Sequence, residues 1–308
     1  MKLAVKYKAE AFLLLNTLIW GGTFVVVKNA LNDVSPSLFV TIRFSIATLL
    51  LLPFVIPQLR GSNSERWKEA LILGVLLYLG FAAQTIGLRY TTATKSAFFT
   101  GTFVVLTPIF QALIEKKIPK KEHIVGIIFV FTGIIFLSSK GTSFLDIFYE
   151  LGENFNIGDF LTLVCAVFFA LYIVYLDMIS DKHDFKFLTF VQVAVTAVIA
   201  FVVSQLFSFT NIEVITFNIN GWVIAALLYT SVLATIVTTL IQTKFQQFVT
   251  PTKTGIIFSL EPIFAAVAAY LIIAETVSYF GFIGSLFIFT GLLISELWNK
   301  DKIDLVPS

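Results

Sequence analysis

Ten apolar runs of membrane-spanning length follow one another along this 308-residue chain, and no other feature limits its fold as strongly. A helix needs roughly 20 mostly apolar residues to cross about 30 Å of hydrocarbon. The runs cover residues 9–27, 38–56, 70–88, 97–114, 124–137, 160–176, 187–207, 223–241, 255–274 and 277–297. The fifth is short and needs its flanks, 121–139, to reach across. Little more than Glu275 and Thr276 separates the ninth from the tenth, which predicts a tight hairpin. Charge, Pro, Gly or Asn marks nearly every boundary, as in Asn32-Asp33 and Arg60-Gly61-Ser62-Asn63. The first run ends without a small-residue cleavage site, so it reads as the first helix rather than a leader.

Composition excludes the soluble alternatives. Charged residues make up only 13% and hydrophobic residues 57%, against about 25% charged in a soluble domain. No hydrophilic block is long enough to fold separately. The expected fold class is therefore an all-α integral membrane protein of ten transmembrane helices. A net charge of +2 points to no nucleic-acid partner. The single cysteine, Cys165, cannot form an intramolecular disulfide, and His123 and His183 fall in predicted loops without metal-ligand spacing. No metal or cofactor is expected, and no GxxxxGK[ST] motif is present for ATP hydrolysis.

Orientation follows from the basic residues, which gather in cytoplasmic loops. With the N-terminus inside, the inner segments carry 16 of the 21 Lys and Arg residues. The outer segments carry Lys28, Arg89, Lys95 and Lys140, and Arg43 lies within a span. The long loop at 140–157, with Asp146, Glu150 and Glu153, falls outside. Both termini are thus expected in the cytoplasm of a cell (inner or plasma) membrane.

The chain also contains itself twice. At an offset of 158, Ile-Ile-Phe-Val-Phe-Thr-Gly-Ile-Ile from Ile127 matches Ser-Leu-Phe-Ile-Phe-Thr-Gly-Leu-Leu from Ser285. The same offset pairs Gly126 with Gly284, Lys95 with Lys253 and Gln84 with Gln242. The expected units are a first five-helix repeat at 1–140, the outside loop at 141–157 and a second repeat at 158–308. Five spans is an odd number, so the second repeat must be inserted upside down. Inverted repeats are a common architecture of secondary transporters, whose halves rock about a shared midplane site.

Specific residues add a family resemblance. The first span holds Asn16-Thr17-Leu18-Ile19-Trp20-Gly21-Gly22-Thr23-Phe24, and Arg43 follows in the second. The ninth reads Ser259-Leu260-Glu261-Pro262-Ile263-Phe264, with Ala274-Glu275, Gly284 and Gly291 beyond it. Together these resemble the drug/metabolite transporter superfamily, EamA type, over nearly the whole chain. The resemblance implies a central cavity lined mainly by helices one, three, four, six, eight and nine. It also implies transport of small metabolites, commonly amino acids or related compounds, often as export. One departure stands out: Pro108 lies four residues later than Pro262 predicts at offset 158, and no Glu precedes it.

Polar groups inside a bilayer are costly and usually face a cavity, a partner helix or their own backbone. Glu261 reads either as a proton-coupling carboxylate or substrate-ammonium ligand, or as a structural group binding free backbone donors near the Pro262 kink. Arg43 reads as snorkelling or bonding a neighbouring helix, with a substrate carboxylate as the alternative. Lys95 and Lys253 read as interfacial anchors. Asn16, Trp20 and Thr23 share one helical face, beside Gly21-Gly22, where another backbone can approach closely. That face is a cavity wall or a packing seam. Span three offers Tyr78, Thr85 and Gln84; span six Tyr172 and Tyr175; span eight Tyr229, Thr235, Thr238, Thr239 and Gln242. Threonine hydroxyls often bond their own helix, so the cavity candidates are Asn16, Trp20, Tyr78, Gln84, Tyr172, Tyr229, Gln242 and Glu261.

The leading expectation is a carrier for a small amphipathic metabolite, working by alternating access. Its partners would be that solute and the lipid bilayer, with protons as an available driving ion. A polytopic enzyme acting on lipid or isoprenoid substrates is the alternative, but it calls for His, Asp or Glu clustered at a membrane face. Asp159 and Asp177 instead read as isolated boundary residues. A channel would need a charged ring or exposed carbonyls at a constriction.

Overall fold

Among the described residues, seven helices are long and apolar enough to cross a membrane and three shorter ones are apolar. A computed structural model describes residues 2–59, 64–114, 116, 121–138, 154–249, 254 and 257–297. Most of the predicted outside loop, its acidic residues, and Lys253 lie outside these. The first half comprises α1 (Lys2–Ala30), α2 (Pro36–Leu59), α3 (Ser64–Tyr90), the pair α4 (Ala93–Gly101) and α5 (Phe103–Ile114), and α6 (Lys121–Ser138). The second comprises α7 (Ile157–Ile179), α8 (Phe185–Phe209), a composite eighth span, α11 (Glu261–Ile273) and α12 (Tyr279–Leu297). The eighth span runs from α9 (Gly221–Leu228) through a π-helical stretch (Tyr229–Val237) into α10 (Thr238–Phe245). Ten crossings result, arranged as two inverted halves.

Helix boundaries follow local chemistry. Asn156 accepts from the amides of Gly158 and Asp159, while Asp159 accepts from Asn156 N–H, a reciprocal cap that starts α7. Asp184 accepts from the amides at the start of α8, and Asn220 from that of Val223 in α9, each a one-way side-chain cap. The short fifth span reaches across because α6 has 18 residues, roughly 27 Å of helix. Ala274, with φ of 52°, ends α11 in the left-handed conformation and turns the chain into the tight hairpin before α12.

Small residues set the helix crossings. A Cβ on Gly284 would stand 2.4 Å from Leu137 N and 2.6 Å from Gly133 O. One on Gly291 would stand 2.7 Å from Gly126 O. The four glycines form two repeat-equivalent pairs, Gly126 with Gly284 and Gly133 with Gly291, so α6 and α12 cross around a local two-fold axis. The matched Phe-Thr-Gly segments in the sequence thus pack on each other. The α3–α7 crossing is equally close, since a Cβ on Gly158 would stand 2.5 Å from Gly87 O.

Among the described residues, loop and cap hydrogen bonds between the two halves gather at the end that holds the α1–α2 turn. Ser35 N–H donates to Thr216 O at 3.0 Å, and Asn218 N–H to Asp33 O at 2.9 Å. Glu213 accepts from Ser37 N–H at 3.2 Å. Glu275 accepts from the amides of Ala93 and Thr94 at 3.0 and 2.9 Å, satisfying free donors at the start of α4. Asp159 accepts from the Thr91 hydroxyl and lies 3.6 Å from Lys95 Nζ. Asp159 is therefore fully buried and bonded across halves rather than an isolated boundary group. Lys95, read from the sequence as an interfacial anchor, pairs here with a buried carboxylate of the other half. At the other end Phe12 stacks on Phe245, and His183 meets Glu69.

Candidate functional site

The fourth and ninth spans are both broken, and at equivalent places. In the fourth, α4 ends at Gly101, Thr102 intervenes and α5 begins at Phe103. In the ninth, the chain turns at Ser259-Leu260 before α11 begins at Glu261, the repeat-equivalent of Phe103. The causes differ. Thr102 directs both its N–H and its hydroxyl back to Phe99 O, tightening the turn. In the ninth span Pro262 lacks an N–H and sits at the start of α11. Pro108, by contrast, lies inside α5. The mismatch of the two prolines in the sequence therefore does not displace the break. The broken segments cross at Gly101, where a Cβ would stand 2.9 Å from Pro262 Cγ.

A cavity opens beside these breaks, with about 620 Å³ of empty space counting its opening. Its walls are Trp20 and Thr23 of α1, Arg43 of α2, Leu77, Phe81 and Gln84 of α3, and Thr100 and Phe103 at the first break. Phe169, Tyr172 and Ile173 of α7, Ala234, Thr239 and Gln242 of the eighth span, and Glu261 complete them. At the repeat offset, Phe81 corresponds to Thr239, Gln84 to Gln242 and Phe103 to Glu261. Both members of each pair line the cavity, so it lies at the interface of the inverted halves. The pairs are unequal, since two aromatics of the first half face a hydroxyl and a carboxylate of the second.

Five of the eight candidates border this cavity: Trp20, Gln84, Tyr172, Gln242 and Glu261. Three do not. Asn16 is fully buried and donates from Nδ2 to Thr238 O at 2.9 Å, tying α1 to the eighth span. Tyr229 packs over Gly22 and donates to Ile19 O at 2.7 Å. Tyr78 lines a smaller apolar cavity between α2, α3 and α8. Gly21 lets α1 reach the α11 backbone, with Ala265 N 3.0 Å from where its Cβ would be. The aromatic and amide face of span one thus serves both as cavity wall and as packing seam. Threonines behave as expected from their chemistry: Thr17, Thr107, Thr162 and Thr230 all donate to carbonyls of their own helix.

Arg43 does not snorkel. It is 3% exposed and points into the bundle, where Nε donates to Thr235 Oγ1 at 2.9 Å and Nη2 to Ala234 O at 3.0 Å. Its guanidinium also lies 4.4 Å from the centre of the Phe81 ring and 5.3 Å from that of Phe44. Both hydrogen-bond acceptors belong to the π-helical stretch, a wider coil often found at functional sites. The interhelical bond read from the sequence is present, and the same residue borders the cavity. Span two therefore joins the six spans that the resemblance implied.

Glu261 is 5% exposed, and its carboxylate has neither a hydrogen-bond nor an ion-pair partner among the described residues. The structural role considered for it, binding free backbone donors, has no counterpart there. Tyr172 is held more firmly: its hydroxyl donates to Gln192 Oε1 at 2.8 Å, while Gln192 Nε2 is buried without a partner among the described residues. Tyr172→Phe should lower stability by about 1–2 kcal/mol by stranding a buried acceptor. Thermal denaturation of the purified protein in detergent measures it, and an unchanged Tm would show that the bond contributes nothing.

Phe81, Phe103 and Phe169 were not singled out in the sequence, although the spacing along spans three and six carried a signal. Leu77, Phe81 and Gln84 stand at i, i+4 and i+7, and Phe169, Tyr172 and Ile173 at i, i+3 and i+4, each a single helical face. In so apolar a chain, a lipid-facing stripe has the same spacing.

A ten-helix membrane bundle of two inverted halves, with a cavity between paired helix breaks, is the architecture of a membrane transporter. The family model for the EamA-like transporter family matches residues 7–139 and 156–297. The chain belongs to that family. A protein of Archaeoglobus fulgidus named "Uncharacterized transporter" is 36% identical over 94% of this chain and 86% of its own length. The "Uncharacterized transporter YyaM" of Bacillus subtilis is 23% identical over 90% of this chain and 89% of its own. A solved crystal structure, 14% identical, superposes with a TM-score of 0.65 over 95% of this chain and 97% of that one, and shares the fold. The family and these relatives' names point to transport rather than enzyme catalysis.

Proposed function

We propose that this protein is a secondary carrier that moves a small amphipathic metabolite, an amino acid or related compound, by alternating access in the direction of export. The observation that carries the reading is the pairing of the two helix breaks at equivalent positions, both bordering the cavity. Interrupted helices meeting at membrane depth are where transporters of this architecture hold their solute. Apolar walls with a few polar handles suit a small amphipathic ligand.

The distribution of Lys and Arg supports a cell-membrane orientation with both termini in the cytoplasm. On that orientation the end where these hydrogen bonds gather faces outward, which supports reading the arrangement as closed to the outside. Export then requires the contacts of Glu213, Asp159 and Glu275 with the first half to part while the opposite end closes.

Counterflow in proteoliposomes against a panel of radiolabelled amino acids and amines tests the carrier reading. Solute-specific, saturable exchange is expected; ohmic single-channel currents in planar bilayers instead would point to a channel. Glu261→Gln should abolish pH-driven transport while leaving the protein folded, because the amide keeps the shape and cannot carry a proton. Transport that responds to a pH gradient unchanged in this variant would remove the coupling role.

A further inference from the structure

The eighth span changes its winding halfway. The nine residues Tyr229–Val237 are π-helical and lie between α9 and α10, whose Thr239 and Gln242 line the cavity. The repeat counterpart, α3, is one uninterrupted α-helix over Ser64–Tyr90. A π turn closes on the fifth residue back rather than the fourth. Thr238 shows the consequence: its N–H bonds Leu233 O, five residues back, and Thr235 O. It passes over Ala234 O, its partner in an α-helix. Arg43 holds that oxygen instead, with Nη2 at 3.0 Å, and its Nε holds the Thr235 hydroxyl at 2.9 Å. The hydroxyls of Thr238 and Ser231 are buried without a partner among the described residues. In an α-helix a threonine hydroxyl donates to the carbonyl four residues back, which for Thr238 is again Ala234 O. One oxygen therefore has two claimants, Arg43 in the π winding and Thr238 in the α winding. The bond from the charged guanidinium is the stronger.

We propose that Arg43 is a positioning residue: by holding Ala234 O and the Thr235 hydroxyl it keeps this stretch π-helical, and that winding aims Thr239 and Gln242 at the cavity. Without Arg43 the stretch rewinds as α-helix, with the N–H and the hydroxyl of Thr238 both on Ala234 O. Each residue that the wider coil gives up turns the chain beyond it by roughly 100°, the arc of one residue in an α-helix. Such a turn takes Thr239 and Gln242 out of the cavity wall and brings in the positions before them. Arg43 itself borders the cavity. Anything there that draws its guanidinium off Ala234 O also turns α10, so one side chain couples the contents of the cavity to the register of the eighth span. The coupling holds whatever solute the cavity carries.

The test is thiol labelling of the purified full-length protein in a Cys165→Ala background, with Thr238→Cys, Thr239→Cys, Ile241→Cys and Gln242→Cys made one at a time. A charged methanethiosulfonate reacts with thiolates that water reaches. With Arg43 in place, positions 239 and 242 are expected to label roughly tenfold faster than 238 and 241 or more. In Arg43→Gln the fast pair should become 238 and 241, because a tighter coil reaches the same direction one residue sooner. Fast labelling kept at 239 and 242 in Arg43→Gln overturns the proposal. A uniform rise at all four positions, the mark of loosened packing alone, overturns it too, as does slow labelling of 239 and 242 with Arg43 present. Deleting Leu233 from the Arg43→Gln protein is a second test, valid even where the single variant does not fold. An α-helix one residue shorter points the original face at the cavity, so the thermal midpoint should rise and the 239 and 242 pattern return. A double variant that folds no better than the single one overturns the proposal. Labelling needs no flux, so a negative result leaves the carrier reading standing.

Discussion

Gly284→Leu should cost the protein its packing between α6 and α12, with a destabilisation at or above the upper end of the roughly 1–3 kcal/mol typical of overpacking. Even a single Cβ at this position would lie 2.4 Å from the Leu137 amide nitrogen and 2.6 Å from Gly133 O. Both obstacles are backbone, so no side-chain rotation relieves them, and the helices must separate. Separation removes the van der Waals contact that holds helices together in lipid, where no hydrophobic drive between them exists. The ring pairs along the same seam, Phe129 with Phe287 and Phe136 with Phe287, would part as well. The measurement is the thermal midpoint and the monodisperse yield in detergent. Gly221→Ala is the control: among the described residues nothing lies within 4 Å of where its Cβ would stand, and the midpoint should not move. A Gly284→Leu midpoint equal to that of wild type would mean that the helices do not cross here.

Arg43→Ala is expected to fail in both stability and transport. It deletes two hydrogen bonds from a charged donor, each contributing about 1.5–3 kcal/mol, and leaves Ala234 O in the π-helical stretch without that donor. It also takes the cation from its contacts with the Phe44 and Phe81 rings. We expect a loss of about 3 kcal/mol or more and no counterflow of the solute that the wild-type protein exchanges. Arg43→Lys should restore little of either, because an ammonium is a point charge and cannot match the planar fork that reaches both Thr235 and Ala234. Stability and counterflow in reconstituted vesicles separate the two roles. A lysine variant with wild-type counterflow would show that only the charge matters, not the geometry.

What could be read from the residues was whatever depends on length and local pattern. Ten apolar runs imply ten crossings because hydrocarbon thickness sets helix length, and the odd five-span repeat implies inversion. The glycines matched at offset 158 proved to lie on the α6–α12 seam, since a close approach of backbones demands a missing side chain. Trp20, Gln84, Gln242 and Glu261 were legible as cavity candidates because a polar or amphipathic group within lipid must face something other than lipid.

What the residues alone left open was decided by which helices meet. Tyr78 and Tyr229 have the same chemistry as Tyr172, yet only Tyr172 borders the cavity, and rotation of each helix against its neighbours makes that choice. The fourth-span break arises from Thr102 bonding back to Phe99, not from the visible Pro108, because a proline is accommodated wherever its missing hydrogen bond does no harm. Arg43 could have snorkelled. It turns inward because Ala234 and Thr235, nearly two hundred residues along the chain, offer it an oxygen each. A sequence of apolar helices specifies how many times the bilayer is crossed; the pairing of helices specifies where the few charges go, and with them the site.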